Sequence, residues 1–69
     1  MMTLKLRDEY TKLGQALKAA GLAQMGSEAK EFILEGMVTV NGETETRRGR
    51  KLYDGDVVCF GNESIRIEK

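Results

Sequence analysis

The chain has 69 residues, of which 11 are basic and 11 are acidic, and it contains no histidine, proline or tryptophan. A chain of this length buries only about 60% of the surface that it exposes when unfolded, which leaves no room for a large, lidded active site. The formal net charge of zero argues, as a total, against a polyanionic partner.

The first predicted elements are a short strand and a helix. Leu4 and Leu6 alternate with polar residues, as in a strand with one buried face. The spacing then becomes helical, with apolar residues three and four positions apart at Leu13, Ala16, Leu17 and Ala20. We expect a helix over residues 11–20, with Thr11 as its N-cap and Gly21 as the residue that ends it.

A second helix of about two turns is predicted after a short connector. Its apolar positions are Ala29, Phe32 and Ile33. Ser27 stands before them as an N-cap, and Gly36 ends the helix. Because so short a helix is marginally stable alone, we expect it to pack against the first one.

The C-terminal half has the pattern of strands and tight turns. Asn41-Gly42 lies between two β-like runs and predicts a hairpin over residues 37–46, because a tight primed turn needs positive φ at both central positions. Residues 54–56 predict another turn, which is followed by an apolar strand over residues 57–60. After a further turn, apolar and polar residues alternate in a last strand over residues 64–68.

These elements place the chain in the α+β class. We predict two short helices packed on a small antiparallel sheet of four to five strands. The sequence contains no repeat and no low-complexity segment, so we expect residues 1–69 to form a single domain.

The composition also bears on the cellular context. Cys59 is the only cysteine, so it cannot form an internal disulfide, and its apolar neighbours predict a buried packing role. No apolar run approaches the roughly 20 residues of a membrane span, and charged residues interrupt the N-terminal region before a signal peptide develops. We therefore expect a cytoplasmic protein that is monomeric and has no membrane association.

The charges are concentrated in one place. Residues 47–51, Arg-Arg-Gly-Arg-Lys, carry a net charge of +4, whereas the segments on either side carry −2 each. The four cations of this basic segment repel one another, and an anionic ligand would relieve the repulsion. Arginine binds phosphate bidentately, and Gly49 permits a close backbone approach. The alternative is a solvated loop whose cations pair with nearby carboxylates, at Glu43, Glu45, Asp54 or Asp56.

The residues that enzymes use most are absent or are better explained otherwise. Without histidine, no Ser-His or Cys-His pairing is possible. Asp54 and Asp56 flank Gly55, which is typical of a turn rather than of a magnesium site. We expect no catalytic residue, no metal site and no cofactor.

Aromatic residues are scarce, with two tyrosines and two phenylalanines in the chain. Phe32 and Phe60 lie in apolar patterns and are expected in the core, whereas Tyr53 follows the basic segment and either contacts nucleic acid or packs. The lack of an aromatic platform argues against a single-strand binder of the stacking type. It favours recognition of backbone and shape in folded RNA.

An ordered set of motifs, spread over residues 11 to about 60, resembles the αL RNA-binding motif, the domain named after small-subunit ribosomal protein S4. The motifs are Ser27 to Lys30, Phe32-Ile33, Gly36, Val38-x-Val40-Asn41-Gly42 and Gly55-Asp56-Val57-Val58. The run from Asn41 to Tyr53 is similar to that of the stand-alone bacterial branch, the YbcJ/YaaA type. The resemblance implies binding of structured RNA, with ribosomal RNA or a ribosome-associated particle as the partner, and no attached catalytic domain.

The resemblance also implies which residues contact RNA. Lys12 and Lys30 match basic positions of the family on the two helices, and Ser27 with nearby amides is a candidate for binding one phosphate. Gly14 replaces the family's usual aspartate and Glu28 replaces a common basic residue, so the basic segment is expected to dominate. The expected RNA-binding residues are Lys12, Ser27, Lys30, Arg47, Arg48, Arg50 and Lys51.

One alternative from another functional class stays open at this point. A protein-interaction adaptor with a ubiquitin-like fold would dock its basic segment on an acidic partner. The C-terminal residues Ile67-Glu68-Lys69 lack the Gly-Gly tail of ubiquitin-like sulfur carriers, which excludes that version of the idea.

Overall fold

The computed structural model describes residues 1–69 and contains two helices and seven short strands. In chain order the elements are β1 (Met2–Lys5), β2 (Thr11–Lys12), α1 (Leu13–Ala19), α2 (Gly26–Leu34), β3 (Val38–Val40), β4 (Glu43–Thr44), β5 (Lys51–Leu52), β6 (Val57–Phe60) and β7 (Glu63–Glu68). Five of the strands form one sheet in the order β1-β7-β6-β3-β4, and β2 pairs with β5 in a separate two-stranded ribbon. The α+β class, the two helices and the five-stranded sheet are confirmed.

The sheet is mixed rather than wholly antiparallel, which corrects the prediction at one edge. β1 pairs in parallel with β7, with Leu4 opposite Ile67, whereas the other pairs in the sheet are antiparallel. Parallel neighbours need a long crossover, and here nearly the whole chain lies between the two strands. Residue patterns within a strand do not specify such a distant partner, so the prediction missed it.

Both helices are confirmed, but neither predicted N-cap is correct. α1 begins two residues later than predicted, because Thr11 and Lys12 are extended and form β2. Lys12 is the N-cap of α1 and makes no side-chain capping bond. In α2 the N-cap is Met25, so Ser27 lies inside the first turn. Strand pairing therefore overrides the capping preference of Thr11. At the other helix, α2 begins at Gly26, before the predicted cap at Ser27.

The predicted turns are confirmed. Gly21 and Gly36, which follow the two helices, have φ values of 79° and 76°. In the hairpin between β3 and β4, Asn41 has a φ of 52° and Gly42 a φ of 86°, the left-handed pair that a primed turn requires. Asn41 also ties this turn to β6, because its side-chain oxygen accepts a hydrogen bond from the amide of Val57 at 2.9 Å.

The core joins one side of the sheet to both helices. It consists of 12 buried apolar residues: Leu13, Ala16, Leu17, Ala23, Ala29, Ile33, Val38, Val40, Leu52, Val58, Ile65 and Ile67. Across the sheet Val40 lies opposite Val58, and Val58 lies opposite Ile65, so three strands contribute one continuous apolar row. Phe32 and Phe60 pack at the margin of this core, with ring centroids 4.6 Å apart.

The residue that follows the basic segment, Leu52, is fully buried and anchors the C-terminal end of the segment in the core. Cys59 is half-buried within β6, in place of the full burial that its neighbours predicted. Neither helix has the length and apolar composition that crossing a membrane would require.

Candidate nucleic-acid interface

The basic segment lies against the start of α1. The carbonyl of Arg50 accepts a hydrogen bond from the amide of Leu13 at 2.9 Å, and the carbonyl of Arg48 accepts one from the amide of Gly14 at 3.0 Å. These carbonyls therefore satisfy the first two amides of α1, which have no acceptor within the helix. The bonds hold the segment in place while its side chains stay outside the core.

Strand pairing places two lysines directly opposite each other. Lys12 on β2 is the cross-strand partner of Lys51 on β5, and both side chains are exposed. Neither lysine forms a salt bridge within the chain. Like charges in directly opposed positions destabilise a strand pair. Proteins accept such a local cost chiefly at functional sites, and a bound anion would relieve the repulsion between two lysines.

Glu45 divides the arginines of the basic segment into two kinds. It is the only charged residue that is buried, with 6% of its surface exposed. Arg47 donates from Nε to its Oε2 at 3.0 Å, and Arg50 donates from Nη1 to its Oε1 at 2.9 Å. These two hydrogen bonds hold the pKa of the Glu45 carboxyl well below its usual 4.5, at about 2. The carboxylate is therefore ionised at neutral pH and fixes both guanidinium groups.

The alternative prediction of a self-neutralised loop is thus correct for part of the segment only. Arg47 and Arg50 pair with Glu45, whereas Arg48 and Lys51 form no salt bridge. Of the other candidate carboxylates, Asp54 accepts a hydrogen bond from the amide of Lys69, and Asp56 accepts one from the amide of Tyr53. These two aspartates hold turns together and leave the free cations unneutralised.

Two adjoining grooves lie beside these cations. The helix groove has a volume of about 330 Å³ and includes no hydrophobic residue; its lining is Lys12, Gly14, Gln15, Lys18, Gly26, Arg48 and Gly49. The loop groove is more open and is lined by Arg47, Gly49, Arg50 and Lys51. Gly49 lines both, so the two grooves form one basic surface.

Gly14 keeps the helix groove open. A Cβ atom at this position would lie 3.6 Å from the carbonyl oxygen of Arg48 and 3.7 Å from its Cβ. Both distances are ordinary van der Waals contacts, so alanine fits here, whereas a longer side chain would occupy the groove. Glycine at position 14 therefore leaves the groove open and adds no negative charge to its lining.

Five of the seven predicted contact residues meet on this surface: Lys12, Arg47, Arg48, Arg50 and Lys51. Ser27 and Lys30 are exposed on α2 but line neither groove. Their helix contributes Gly26 instead, whose amide, like those of the next two residues, donates no hydrogen bond within the chain.

Lys18 is a lining residue that sequence reasoning missed. It is exposed in the last turn of α1 and forms no salt bridge. Its spacing of four residues from Gly14 and three from Gln15 was the available signal, because such residues share one helix face. The spacing identifies Lys18 as a groove residue only in the folded chain, where the basic segment lies beside the same face of α1.

The chain is similar to known proteins over most of its length. A family model described as "S4 domain" matches residues 4–68. A Bacillus subtilis protein named "Probable ribosome maturation protein RlbA" is 51% identical over 55 residues, which are 80% of this chain and 78% of that protein. YbcJ of Escherichia coli is 35% identical over 68 residues, 97% of each chain.

The solved structures include a close match in fold. The solution structure of Escherichia coli YbcJ, which reveals an αL motif involved in RNA binding, has a TM-score of 0.77 and a sequence identity of 34% to this chain. The match covers 100% of this chain and 89% of that one.

Proposed function

Because this chain belongs to the S4 domain family, as the resemblance in its sequence predicted, we propose that it binds folded RNA through the basic surface. The partner we propose is ribosomal RNA or a ribosome-associated particle, and a relative named for ribosome maturation supports this choice. The domain acts by binding alone, without a cofactor or a chemical step, in the cytoplasm.

The observation that carries the proposal is the convergence of unpaired cations from two distant parts of the sequence. Lys12 and Lys18 come from β2 and α1, and Arg48 and Lys51 come from the basic segment. No carboxylate lines either groove. No carboxylate within the chain pairs with these four cations, and the phosphate backbone of a nucleic acid supplies a dense row of negative charges.

The cations contribute unequally in this proposal. Arg47 and Arg50 share the single carboxylate of Glu45, so this cluster adds one net positive charge, whereas the four unpaired cations add one each. Arg48 is the strongest candidate for a direct phosphate contact, because its guanidinium is free to bind two phosphate oxygens. Arg47 and Arg50 contact the RNA backbone from the loop groove, while Ser27 and Lys30 extend the contact surface along α2.

The shape of the site favours folded RNA over an extended single strand. The grooves carry no aromatic side chain, so phosphates and ribose hydroxyls are the groups that they receive. Recognition of this kind reads the backbone geometry of an A-form helix. If about four phosphates are neutralised, the slope of log affinity against log salt concentration is roughly −3, taking the nucleic-acid coefficients as a guide.

The experiment that tests this proposal compares two triple variants of equal net charge. The first is Lys12→Gln, Arg48→Gln and Lys51→Gln, which removes unpaired cations from the basic surface. The control is Lys5→Gln, Arg66→Gln and Lys69→Gln, which removes three cations that pair with Glu68 or Glu9 elsewhere. Affinity for a ribosomal RNA hairpin is measured by fluorescence anisotropy at two salt concentrations.

We expect the first variant to bind more than tenfold more weakly and its salt slope to fall by about two to three, because each lost phosphate contact reduces the slope by about one. The control is expected to keep a slope close to that of the unmodified chain. Equal losses in the two variants would show that total charge, and not this surface, governs the affinity.

A further inference from the structure

The two tyrosines of the chain meet at the margin of the basic surface. Thr11 on β2 lies opposite Leu52 on β5, so the next residues outward, Tyr10 and Tyr53, face each other across the ribbon. Their ring centroids are 5.9 Å apart and the rings are tilted by 50°. Tyr10 is 38% exposed and Tyr53 is 47% exposed, so this aromatic pair presents much of its surface to solvent.

One cation belongs both to this pair and to the basic surface. Nζ of Lys51 lies 4.8 Å from the centroid of the Tyr10 ring, within range of a cation–π interaction. Lys51 also lines the loop groove. Lys51 therefore connects the basic surface to an exposed aromatic ring.

A third groove, of about 390 Å³, begins at Tyr10 and differs in character from the other two. Four of its nine lining residues are hydrophobic, among them Leu4, Leu6 and Tyr10. Gln15 lines both this groove and the helix groove, so the two grooves adjoin along α1. The other five lining residues are polar or charged, and such a mixed lining suits a nucleobase, which has apolar faces and a polar edge.

The backbone holds Tyr53 in position before any ligand arrives. Its amide donates a hydrogen bond to Oδ2 of Asp56 at 2.8 Å, its carbonyl accepts one from the amide of Asp56 at 3.0 Å, and it follows the buried Leu52. The hydroxyl groups of both tyrosines make no hydrogen bond within the chain. Because its backbone is already fixed, Tyr53 loses less conformational freedom when its ring stacks on a ligand.

We propose that Tyr10 and Tyr53 form a stacking site for one unpaired base of the bound RNA, with Lys51 holding the phosphate of that nucleotide. This inference rests on the proposed function and deepens it, because it adds an unpaired nucleotide to a surface that otherwise reads only the backbone. The target is then a helix interrupted by a bulge or ended by a loop, and a fully paired stem lacks one of the contacts.

The test uses two RNA hairpins that share one stem, one fully paired and one with a single bulged adenosine. The unmodified chain is expected to bind the bulged hairpin about tenfold more tightly, because stacking of one base raises the affinity by about this factor. Tyr10→Leu is expected to abolish this preference and Tyr10→Phe to keep it, because phenylalanine retains the ring. Arg48→Gln, as the matched charge variant, weakens binding to both hairpins equally and leaves the preference intact.

Intrinsic fluorescence gives a second readout that does not depend on a variant's stability. The chain has no tryptophan and only these two tyrosines, so its emission reports on the aromatic pair alone. The bulged hairpin is expected to quench the emission more than the paired hairpin, which serves as the control for absorbance. Salt-dependent binding of both hairpins with equal affinity and equal quenching overturns the stacking site but leaves the proposed function standing, whereas absence of binding to either hairpin overturns both.

Discussion

Replacing Glu45 by glutamine is the most direct test of how the basic segment is held. The substitution keeps the size of the side chain and removes the negative charge that fixes Arg47 and Arg50. It leaves two guanidinium groups close together without the carboxylate between them. We expect the variant to fold with a lower free energy of unfolding and with a more mobile basic segment.

The magnitude follows from the pKa of Glu45. Lowering a pKa from 4.5 to about 2 corresponds to about 3 kcal/mol, at 1.36 kcal/mol for each pH unit. This value is an upper bound, because the side chain of Arg47 is 76% exposed and water screens its part of the interaction. We expect Glu45→Gln to lower the free energy of unfolding by about 1 to 2 kcal/mol at pH 7.

The dependence on pH distinguishes the ion pair from a general packing effect. The folded pKa of Glu45 lies below the unfolded value, so its contribution to stability is fully present above 4.5 and is lost as the pH falls toward about 2. The difference in stability between the unmodified chain and Glu45→Gln is therefore largest near neutral pH. It should shrink steadily over that acidic range.

The assay is urea unfolding followed by circular dichroism, at neutral pH and at several acidic values. Glu43→Gln is the matched control, because Glu43 is an exposed carboxylate of the same hairpin with no salt bridge. Equal losses of stability in the two variants at neutral pH would contradict a stabilising role for the Glu45 ion pairs. A difference between Glu45→Gln and the unmodified chain that stays constant as the pH falls would contradict it as well.

Three further predictions concern single positions. Gly14→Ala is expected to raise the free energy of unfolding by about 0.5 kcal/mol in thermal denaturation, because alanine favours the helix and its Cβ fits beside Arg48; a loss of stability would contradict this. Lys18→Gln is expected to reduce the salt slope of RNA binding by about one, and Lys30→Gln by less, because only Lys18 lines a groove; the reverse order in a titration series would contradict this. Gly42→Ala is expected to cost about 1 kcal/mol in urea unfolding, because its φ is 86°, and an unchanged midpoint would contradict this.

The total charge of the chain is a poor guide to its surface. The sum of zero argues against a polyanionic partner, whereas the distribution along the sequence points to four cations in the basic segment. In the folded chain these cations are not equivalent, because Glu45 pairs with Arg47 and Arg50 while Arg48 and Lys51 stay unpaired. The unpaired cations then gain Lys12 and Lys18 as neighbours from another part of the chain.

Much of the fold could be predicted because its signals are local. Apolar spacing indicated both helices, and Asn41-Gly42 indicated the hairpin, since each depends on residues a few positions apart. The family resemblance depended likewise on short motifs in a fixed order. Most of the predicted contact residues also meet on one surface. Four of them belong to the basic segment itself, and strand pairing places Lys12 opposite Lys51.

Contacts between residues far apart in the sequence could not be predicted from local patterns. Those patterns were sufficient for the two helices, the hairpin, the basic segment and the family to which the chain belongs. Pairing of β1 with β7, capping of α1 by the carbonyls of Arg48 and Arg50, and the meeting of Tyr10 with Tyr53 all require the closed fold. A local pattern shows which face of a helix or strand is apolar. The element that packs on that face is selected only when both are buried in the common core.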